Sequence, residues 1–185
     1  MTQFTKAAIK ASFIKLLNKK SLAKITVKEI VEDCKINRNS FYYHFSDIHS
    51  LLEEILIEEA DRFVSTEAKK GSLYETLVDA IDFAIQNKTA VLHIYNSANK
   101  DVFEQYLNRV SESAVLKFFS TLENTHNISD EDKDAIIMYY KCQLVGFVID
   151  WLSKGMKYDL SAKIKRICEL FDGSMEKAIE RCHRK

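Results

Sequence analysis

No proline occurs anywhere in the 185 residues of this chain, and only four residues are glycine. Proline breaks helices and glycine supplies the left-handed conformations of tight turns, so a chain with almost neither is suited to long helices. An antiparallel sheet needs many tight turns, which this composition serves poorly. Hydrophobic residues make up 46% of the chain, enough for a substantial core. The sequence therefore predicts an all-α globular protein.

Charge is unevenly distributed along the chain. Residues 1–50 contain nine Lys or Arg and four acidic residues, a net charge of +5, whereas the whole chain is neutral. A basic N-terminal part joined to an acidic remainder indicates that only the first part meets a polyanion.

Several features favour a cytoplasmic protein without metal, cofactor or membrane partner. The cysteines stand far apart, at Cys34, Cys142, Cys168 and Cys182. They lack the CxxC or Cys/His spacing of zinc sites, and His44 and His49 have no cysteine or acidic partners in register. Lysines interrupt the amphipathic N-terminus, unlike a signal peptide. The longest uncharged apolar run, CQLVGFVI, is far shorter than the roughly 20 residues of a membrane span.

Helical periodicity predicts a first helix over residues 5–17, with apolar residues on one side and lysines on the other. Thr26 and Glu29 have the spacing of a capping box, which predicts a short second helix after Thr26. Asn37 can cap a third helix. In that helix Phe41 and Phe45 lie four residues apart and face the core.

The third predicted helix turns a polar face away from that core. At about 100° per residue, six residues point outward or lie at the flanks: Arg38, Asn39, Ser40, Tyr42, Tyr43 and His44. Two short helices joined by a tight turn form a helix-turn-helix unit, whose second helix enters the major groove of DNA. Arginine, amide and hydroxyl groups can bond bases or phosphates, and Thr26 can bind a phosphate at a helix N-terminus. A purely structural alternative would need rings on different sides of one short helix to share one core.

The rest of the chain also has helical periodicity. A long fourth helix is predicted over residues 48–64, and Gly71 and Ser72 predict a break. Further helices are expected at 73–87, 88–97 and 101–122, before a polar linker at 123–132. Ser129 with Asp132 predicts the cap of a strong helix that ends at Gly155, and Ser161 begins one last helix.

The segment ITVKEIVEDCKINRNSFYYHFSDIHSLL, residues 25–52, resembles the DNA-binding domain of the TetR/AcrR family of bacterial transcriptional regulators. The resemblance implies a helix-turn-helix domain at 1–46 and an effector-binding and dimerisation domain at 47–185. It implies a homodimeric repressor that binds a palindromic double-stranded DNA operator and responds to a small-molecule or protein effector. The implied DNA-binding residues are Thr26, Lys28, Asn37, Arg38, Asn39, Ser40, Tyr42, Tyr43 and His44.

The sequence departs from the family pattern at the turn and after the motif. Lys35 stands where the family usually has glycine, and Ser46 and Ile48 stand where lysines are frequent. We expect these differences to weaken DNA affinity. The segments HIYNSANKD and YYKCQLVGFVIDWLSKGMKYD are similar to a subgroup of TetR-type regulators that includes proteins associated with dihydroxyacetone kinase operons.

Two further sets of residues in the C-terminal part are candidates for function. The candidate effector pocket comprises His93, Tyr95, Tyr106, Phe118, Tyr139, Tyr140, Gln143 and Phe147. The candidate dimer interface comprises Val148, Trp151, Leu152, Ile164, Ile167, Phe171 and Met175, on two helices whose broad apolar faces suit a four-helix contact. Aromatic residues at helical spacing are equally typical of an ordinary core, so for each of them a packing role is the competing interpretation.

Two other classes of function are alternatives. A protein-interaction coregulator with weakened DNA binding would explain the unusual turn and the missing lysines. An enzyme has little support, because the sequence contains no Gly-rich phosphate loop, metal cluster or nucleophile–base pair.

Overall fold

The computed structural model of the chain describes residues 2–65, 73–123, 125 and 128–183. All regular secondary structure in these ranges is helical, which confirms the all-α fold. The α-helices are α1 (Thr2–Leu17), α2 (Val27–Asp33), α3 (Arg38–His44), α4 (Ile48–Ser65), α5 (Leu73–Gln86), α6 (Lys88–Tyr95), α7 (Lys100–Phe119), α8 (Asp130–Ser153), α9 (Leu160–Leu170) and α10 (Ser174–Cys182). The predicted break at Gly71 and Ser72, and part of the predicted linker, lie outside the described residues.

Local capping signals fix three of the helix starts, as predicted. The Thr26 side chain accepts a hydrogen bond from the Glu29 N–H while the Glu29 carboxylate accepts one from the Thr26 N–H, a complete capping box. Asn37 caps α3 by accepting from the Ser40 N–H at 2.8 Å. Ser129 caps α8 by accepting from the Asp132 N–H at 3.1 Å.

The prediction of one last helix is wrong, because the chain forms two. The first of them, α9, is capped by Asp159 rather than begun at Ser161. Gly173 then adopts the left-handed conformation, with φ of 70°, and is the N-cap of α10. The preceding helix, α8, ends at Ser153, two residues before Gly155. Glycine adopts the left-handed conformation at little steric cost, so Gly173 is the physical reason for the break between α9 and α10.

The chain divides into two compact units. The first unit contains residues 1–61 and 86–106, and therefore holds α1, α2 and α3 together with α6. Its core includes fully buried residues from four helices, α1 to α4: Ile9, Phe13, Ile30, Phe41, Leu51 and Leu52. The Ser12 hydroxyl, itself buried, donates a hydrogen bond to the Ile30 carbonyl at 3.3 Å and so joins α1 to α2. The helix-turn-helix is thus held in a unit that continues beyond the first three helices.

The second unit contains residues 62–85 and 107–185. Its core includes Ala114, Val115, Met175 and Ile179, each at most 2% exposed. The Trp151 indole N–H donates a hydrogen bond to the Tyr158 carbonyl at 2.8 Å, which fixes the turn after α8. This unit is built mainly from α5, most of α7 and the last three helices.

The longest helix, α8, is long and apolar enough by length and composition to cross a membrane, although only 22% of its most apolar stretch is buried. The core helix of a soluble protein can have the same length and composition. Its buried residues include Ile137, Leu144 and Trp151, which lie on one side of the helix. Part of the apolar surface of α8 therefore faces away from the core of its own unit.

Candidate nucleic-acid interface and cavity

Two buried rings anchor α3 and decide which face it shows to solvent. Phe41 is 0% and Phe45 3% exposed, as the four-residue spacing predicts. On the other side, Tyr42 is 56% and Tyr43 75% exposed. Burying a phenylalanine stabilises a fold by about 1.5–3 kcal/mol, so each ring holds the helix firmly in this rotation. An outward-facing pair of tyrosines on a well-anchored helix suits contact with another molecule.

Polar side chains on the same face have unused hydrogen-bonding capacity. Arg38 and Asn39 are exposed, and neither forms a hydrogen bond or ion pair with another described residue. Arg38 offers five donors in a rigid fork that matches the acceptors of guanine or of a phosphate. The His44 ring is half-buried, with its centroid 5.0 Å from the Tyr43 ring in an edge-on arrangement.

Two of the sequence-predicted DNA contacts already serve as caps. The Asn37 oxygen accepts from both the N–H and the hydroxyl of Ser40, at 2.8 and 3.0 Å. The Thr26 hydroxyl donates to Glu29 at 2.9 Å. A hydrogen bond from Lys20, with others from Thr26, lowers the pKa of Glu29 and keeps that carboxylate ionised. Both capping residues are exposed. Their hydrogen bonds therefore fix the first turns of α2 and α3 at the protein surface.

The turn between α2 and α3 is a Schellman motif with lysine in the position that favours glycine. The Ile36 N–H donates to the Val31 carbonyl at 2.9 Å, and the Lys35 N–H donates to the Glu32 carbonyl at 3.4 Å. Lys35 has φ of 56°, in the left-handed region. The bend is therefore made at a steric cost of about 1–2 kcal/mol for a residue with a Cβ.

Most of the basic charge of the N-terminal part is neutralised by ion pairs. On α4, Glu54 contacts Lys6 at 2.8 Å and Lys10, and Glu58 contacts Lys10 at 2.6 Å. Lys15 pairs with Asp33, Lys20 with Glu29, and Lys28 with Glu32. Among residues 2–50, four exposed basic residues make no ion pair with a described residue: Lys19, Lys24, Lys35 and Arg38. Lys35 and Arg38 lie in the turn and at the start of α3, which makes the helix-turn-helix the favoured place for a polyanion.

A cavity of about 810 Å³ lies within the second unit. Five of the predicted effector residues line it: Phe118, Tyr139, Tyr140, Gln143 and Phe147. Burial raises the pKa of Tyr140, and the Tyr140 hydroxyl is hydrogen-bonded to the Ser174 hydroxyl at 2.7 Å. Cys168 also lines the cavity, and burial raises the pKa of its thiol, so it remains protonated at neutral pH.

The other three predicted pocket residues lie in the first unit and do not line this cavity. His93 Nδ1 lies 2.7 Å from the Leu17 carbonyl oxygen, so Nδ1 carries the proton and ties α6 to the end of α1. The Tyr95 ring lies 4.9 Å from the Lys100 ammonium. Burial, aided by the charge of Glu59, raises the pKa of Tyr106 to about 12.

The predicted dimer-interface residues are mostly covered within one protomer. Trp151, Leu152, Ile164 and Met175 are each at most 3% exposed, so they offer almost no surface to a second chain. Ile164, Ile167, Phe171 and Met175 line the cavity instead. Val148 and Ile167 are half-buried, and Phe171 is exposed. The dimer interface stays a prediction, and the outward side of α8 offers a different surface for it.

Two carboxylates at the cavity, Asp172 and Glu176, were missed by the sequence reasoning. They flank the break at Gly173, which turns the chain so that the end of α9 and the first turn of α10 both reach the cavity. The dipeptide Asp172-Gly173 is a turn signal that could have revealed the break. Among the described residues, no cluster of three or more His, Cys, Asp or Glu is suited to hold a metal ion.

Comparisons with known proteins cover both parts of the chain. The family described as "Bacterial regulatory proteins, tetR family" matches residues 12–55, and the family described as "Transcriptional regulator C-terminal region" matches residues 71–173. The uncharacterized HTH-type transcriptional regulator YxbF of Bacillus subtilis (strain 168) is 24% identical over 92% of this chain. The chain spans 45% of that relative, about half its length.

Two solved structures are similar in fold. The dihydroxyacetone kinase operon activator DhaS has a TM-score of 0.76 and 19% identity, over 93% of this chain and 96% of DhaS. A TetR transcriptional regulator from Rhodococcus sp. RHA1 has a TM-score of 0.61 and 15% identity, over 93% of this chain and 98% of the other. At these identities the likeness shows the fold alone.

Proposed function

We propose that this chain, a helix-turn-helix transcriptional regulator that belongs to the TetR family of bacterial regulatory proteins, binds a specific DNA sequence. In this proposal it acts in the cytoplasm and without catalysis, as a homodimer that places one α3 in each of two successive major grooves of a pseudo-palindromic operator. An effector that occupies the cavity of the second unit alters the DNA affinity.

The observation that carries the proposal is the outward face of α3. Phe41 and Phe45 fix the rotation of the helix, and that rotation exposes Arg38, Tyr42 and Tyr43 together. Arg38 is the best candidate for base recognition, because its donors are free in the described part of the chain. The tyrosine hydroxyls can bond phosphates, and their rings can contact thymine methyl groups.

The outward side of α8 supports the dimer. Its members recur every three or four residues along the helix: Ala135, Met138, Cys142, Gly146 and Ile149. A Cβ at Gly146 would meet no atom within 4 Å, so nothing described in the protomer requires glycine there. Glycine inside a helix costs about 1 kcal/mol relative to alanine. Close approach of a second α8 accounts for that cost, because glycine lets two helix backbones come near each other.

We propose repression as the direction of regulation. A repressor bound at a promoter blocks transcription until an effector lowers its affinity, a population shift that requires different effector affinities for the two states. DhaS, the similar structure, is named an operon activator. A promoter–reporter fusion separates the two directions, since removal of a repressor raises expression and removal of an activator lowers it.

DNA binding is tested by selecting bound sequences from a random duplex pool and then measuring affinity at several salt concentrations. We expect an inverted repeat, with affinity that falls steeply as salt rises. Arg38→Ala should weaken binding to the selected sequence by roughly 10- to 100-fold and relax specificity at one position of each half-site. Lys165→Ala, an exposed change of equal charge on α9, is the matched control and should bind normally. Equal affinity of both variants for the selected sequence would refute the role of α3.

The dimer is tested by sedimentation equilibrium of Gly146→Leu. We expect a monomer of normal helical content, because the protomer has room for the side chain whereas a close α8 pair does not. Lys177→Leu places the same side chain at an exposed site on α10 and should remain dimeric. An equally stable dimer for Gly146→Leu would show that the interface lies elsewhere.

A further inference from the structure

The cavity of the second unit has the dimensions of a small-molecule site. Its volume of about 810 Å³ falls within the roughly 300–1,000 Å³ that is usual for ligand pockets. Given the proposed function, in which an effector enters this cavity, the lining residues indicate the chemical class of that effector.

Aromatic rings form much of the wall. Five of them line the cavity: Phe118, Tyr139, Tyr140, Phe147 and Phe171. Tyr139 and Tyr140 meet edge to face, with ring centroids 5.1 Å apart. Tyr139 and Phe171 are more than half exposed, so their faces are open to an incoming molecule. Aromatic faces carry partial negative charge and attract cations, while their area also favours an apolar ligand.

The formal charge at the cavity is negative. Asp172 and Glu176 line it, whereas the lining residues that the structure describes include no Lys, Arg or His. Neither carboxylate forms an ion pair with a described residue. The N-terminus of α10 also lies there, but a helix dipole contributes only about half a positive charge against two carboxylates. The cavity therefore disfavours an anion.

Glu176 lies close enough to influence the aromatic wall. Burial raises the pKa of the Tyr140 hydroxyl, and the negative charge of Glu176 raises it further, against the hydrogen bond with Ser174. An ammonium or phosphonium group beside Tyr140 would meet both a ring face and a carboxylate. A neutral ligand would use only the apolar wall and would leave the two carboxylates without a counter-charge.

We propose that this cavity binds a lipophilic organic cation, with the charged centre between the aromatic rings and the carboxylates Asp172 and Glu176. The apolar body of the ligand packs against the aliphatic part of the wall, which includes Leu144, Ile164 and Met175. Charge, rather than size, is then the property that selects the effector. The cavity should therefore bind a cation more tightly than an anion of the same shape.

The experiment uses tetraphenylphosphonium and tetraphenylborate, two ions of nearly equal size and opposite charge, titrated calorimetrically into the full chain. We expect the phosphonium to bind at least roughly tenfold more tightly than the borate. The double variant Asp172→Asn, Glu176→Gln keeps the shape of both side chains and should lose that preference. Glu169→Gln removes a carboxylate from α9 that is paired with Arg166 at 3.0 Å, outside the cavity lining, and should keep it.

Borate binding as tightly as phosphonium, absence of binding by either ion, or an unchanged preference in the double variant would overturn the inference. Operator affinity measured with and without the phosphonium tests the proposed function separately. Tight phosphonium binding with unchanged operator affinity would support the ligand class while refuting effector control. Phosphonium binding that also shifts operator affinity would support both.

Discussion

Replacing Lys35 by glycine should stabilise the first unit. Lys35 occupies the left-handed position of the Schellman motif that ends α2, with φ of 56°. A residue with a Cβ loses about 1–2 kcal/mol in this conformation. Glycine avoids that loss but costs about 0.5–1 kcal/mol through the greater freedom of the unfolded chain. The net gain expected for Lys35→Gly is therefore about 0.5–1 kcal/mol, or a rise in Tm of about 1–4 °C.

Lys35→Ala separates backbone strain from the loss of charge. Alanine removes the ammonium group but keeps the Cβ, so it should bring none of the gain. Both variants lose the same positive charge at the turn between α2 and α3, so their salt-dependent DNA affinities should change equally. A difference in stability between them then reports the conformation of the turn alone.

The free energy of unfolding is measured by urea titration, with circular dichroism as the signal. Hydrogen exchange of the amides of α2 and α3 is the local probe. Hydrogen exchange shows whether the change in stability lies in the first unit, because the two units need not unfold together. Slower exchange in α2 and α3 for Lys35→Gly, but not for Lys35→Ala, is the expected result. Equal stability of the two variants would refute the assignment of strain to Lys35.

Three further predictions concern individual side chains. Thr26→Ala should destabilise the chain by about 1 kcal/mol in urea unfolding, whereas Thr26→Ser, which keeps the cap, should cost much less. Partial burial works against ionisation of Glu54, but hydrogen bonds from two lysines of α1 hold its pKa below the ordinary value. This stabilisation is present above the unfolded pKa of about 4.3 and is lost as pH falls through the folded pKa. The free energy of unfolding of Glu54→Gln should therefore decrease less than that of the wild type between about pH 5 and pH 3. Burial, together with a hydrogen bond to Asp150 and its charge, raises the pKa of Tyr158 to about 12; Asp150→Asn should move one tyrosine titration toward 10 in ultraviolet difference spectra, and an unchanged titration would contradict that geometry.

Much of the fold was predictable because its determinants are local. The caps at Thr26, Asn37 and Ser129 each depend on residues three apart, and each formed as expected. The buried side of α3 followed from the spacing of Phe41 and Phe45. The break at Gly173 was missed because apolar periodicity continues through it, even though the aspartate–glycine pair signalled a turn.

The cavity depends on contacts that no local pattern encodes. Tyr139 and Phe147 were expected there, yet Tyr106 has the same chemistry and belongs to the other unit. Likewise, apolar periodicity marks Trp151 as covered without saying what covers it. The structure shows that its own protomer does so, at 3% exposure. A sequence pattern predicts which side of a helix is buried, but the element that packs against that side depends on the tertiary fold.

The composition of α8 follows from this distinction. A helix with one apolar stripe would have a polar opposite side, but α8 has apolar residues on two sides and so resembles a membrane span by composition. One side, with Leu144 and Trp151, packs inside the protomer. Its Lys141 lies 3.9 Å from Glu112, an ion pair at the protein surface that hydrocarbon would penalise strongly. In the proposed dimer, a second α8 packed along Cys142 and Gly146 would bury the other side, so the apolar residues of this helix would be covered without a bilayer.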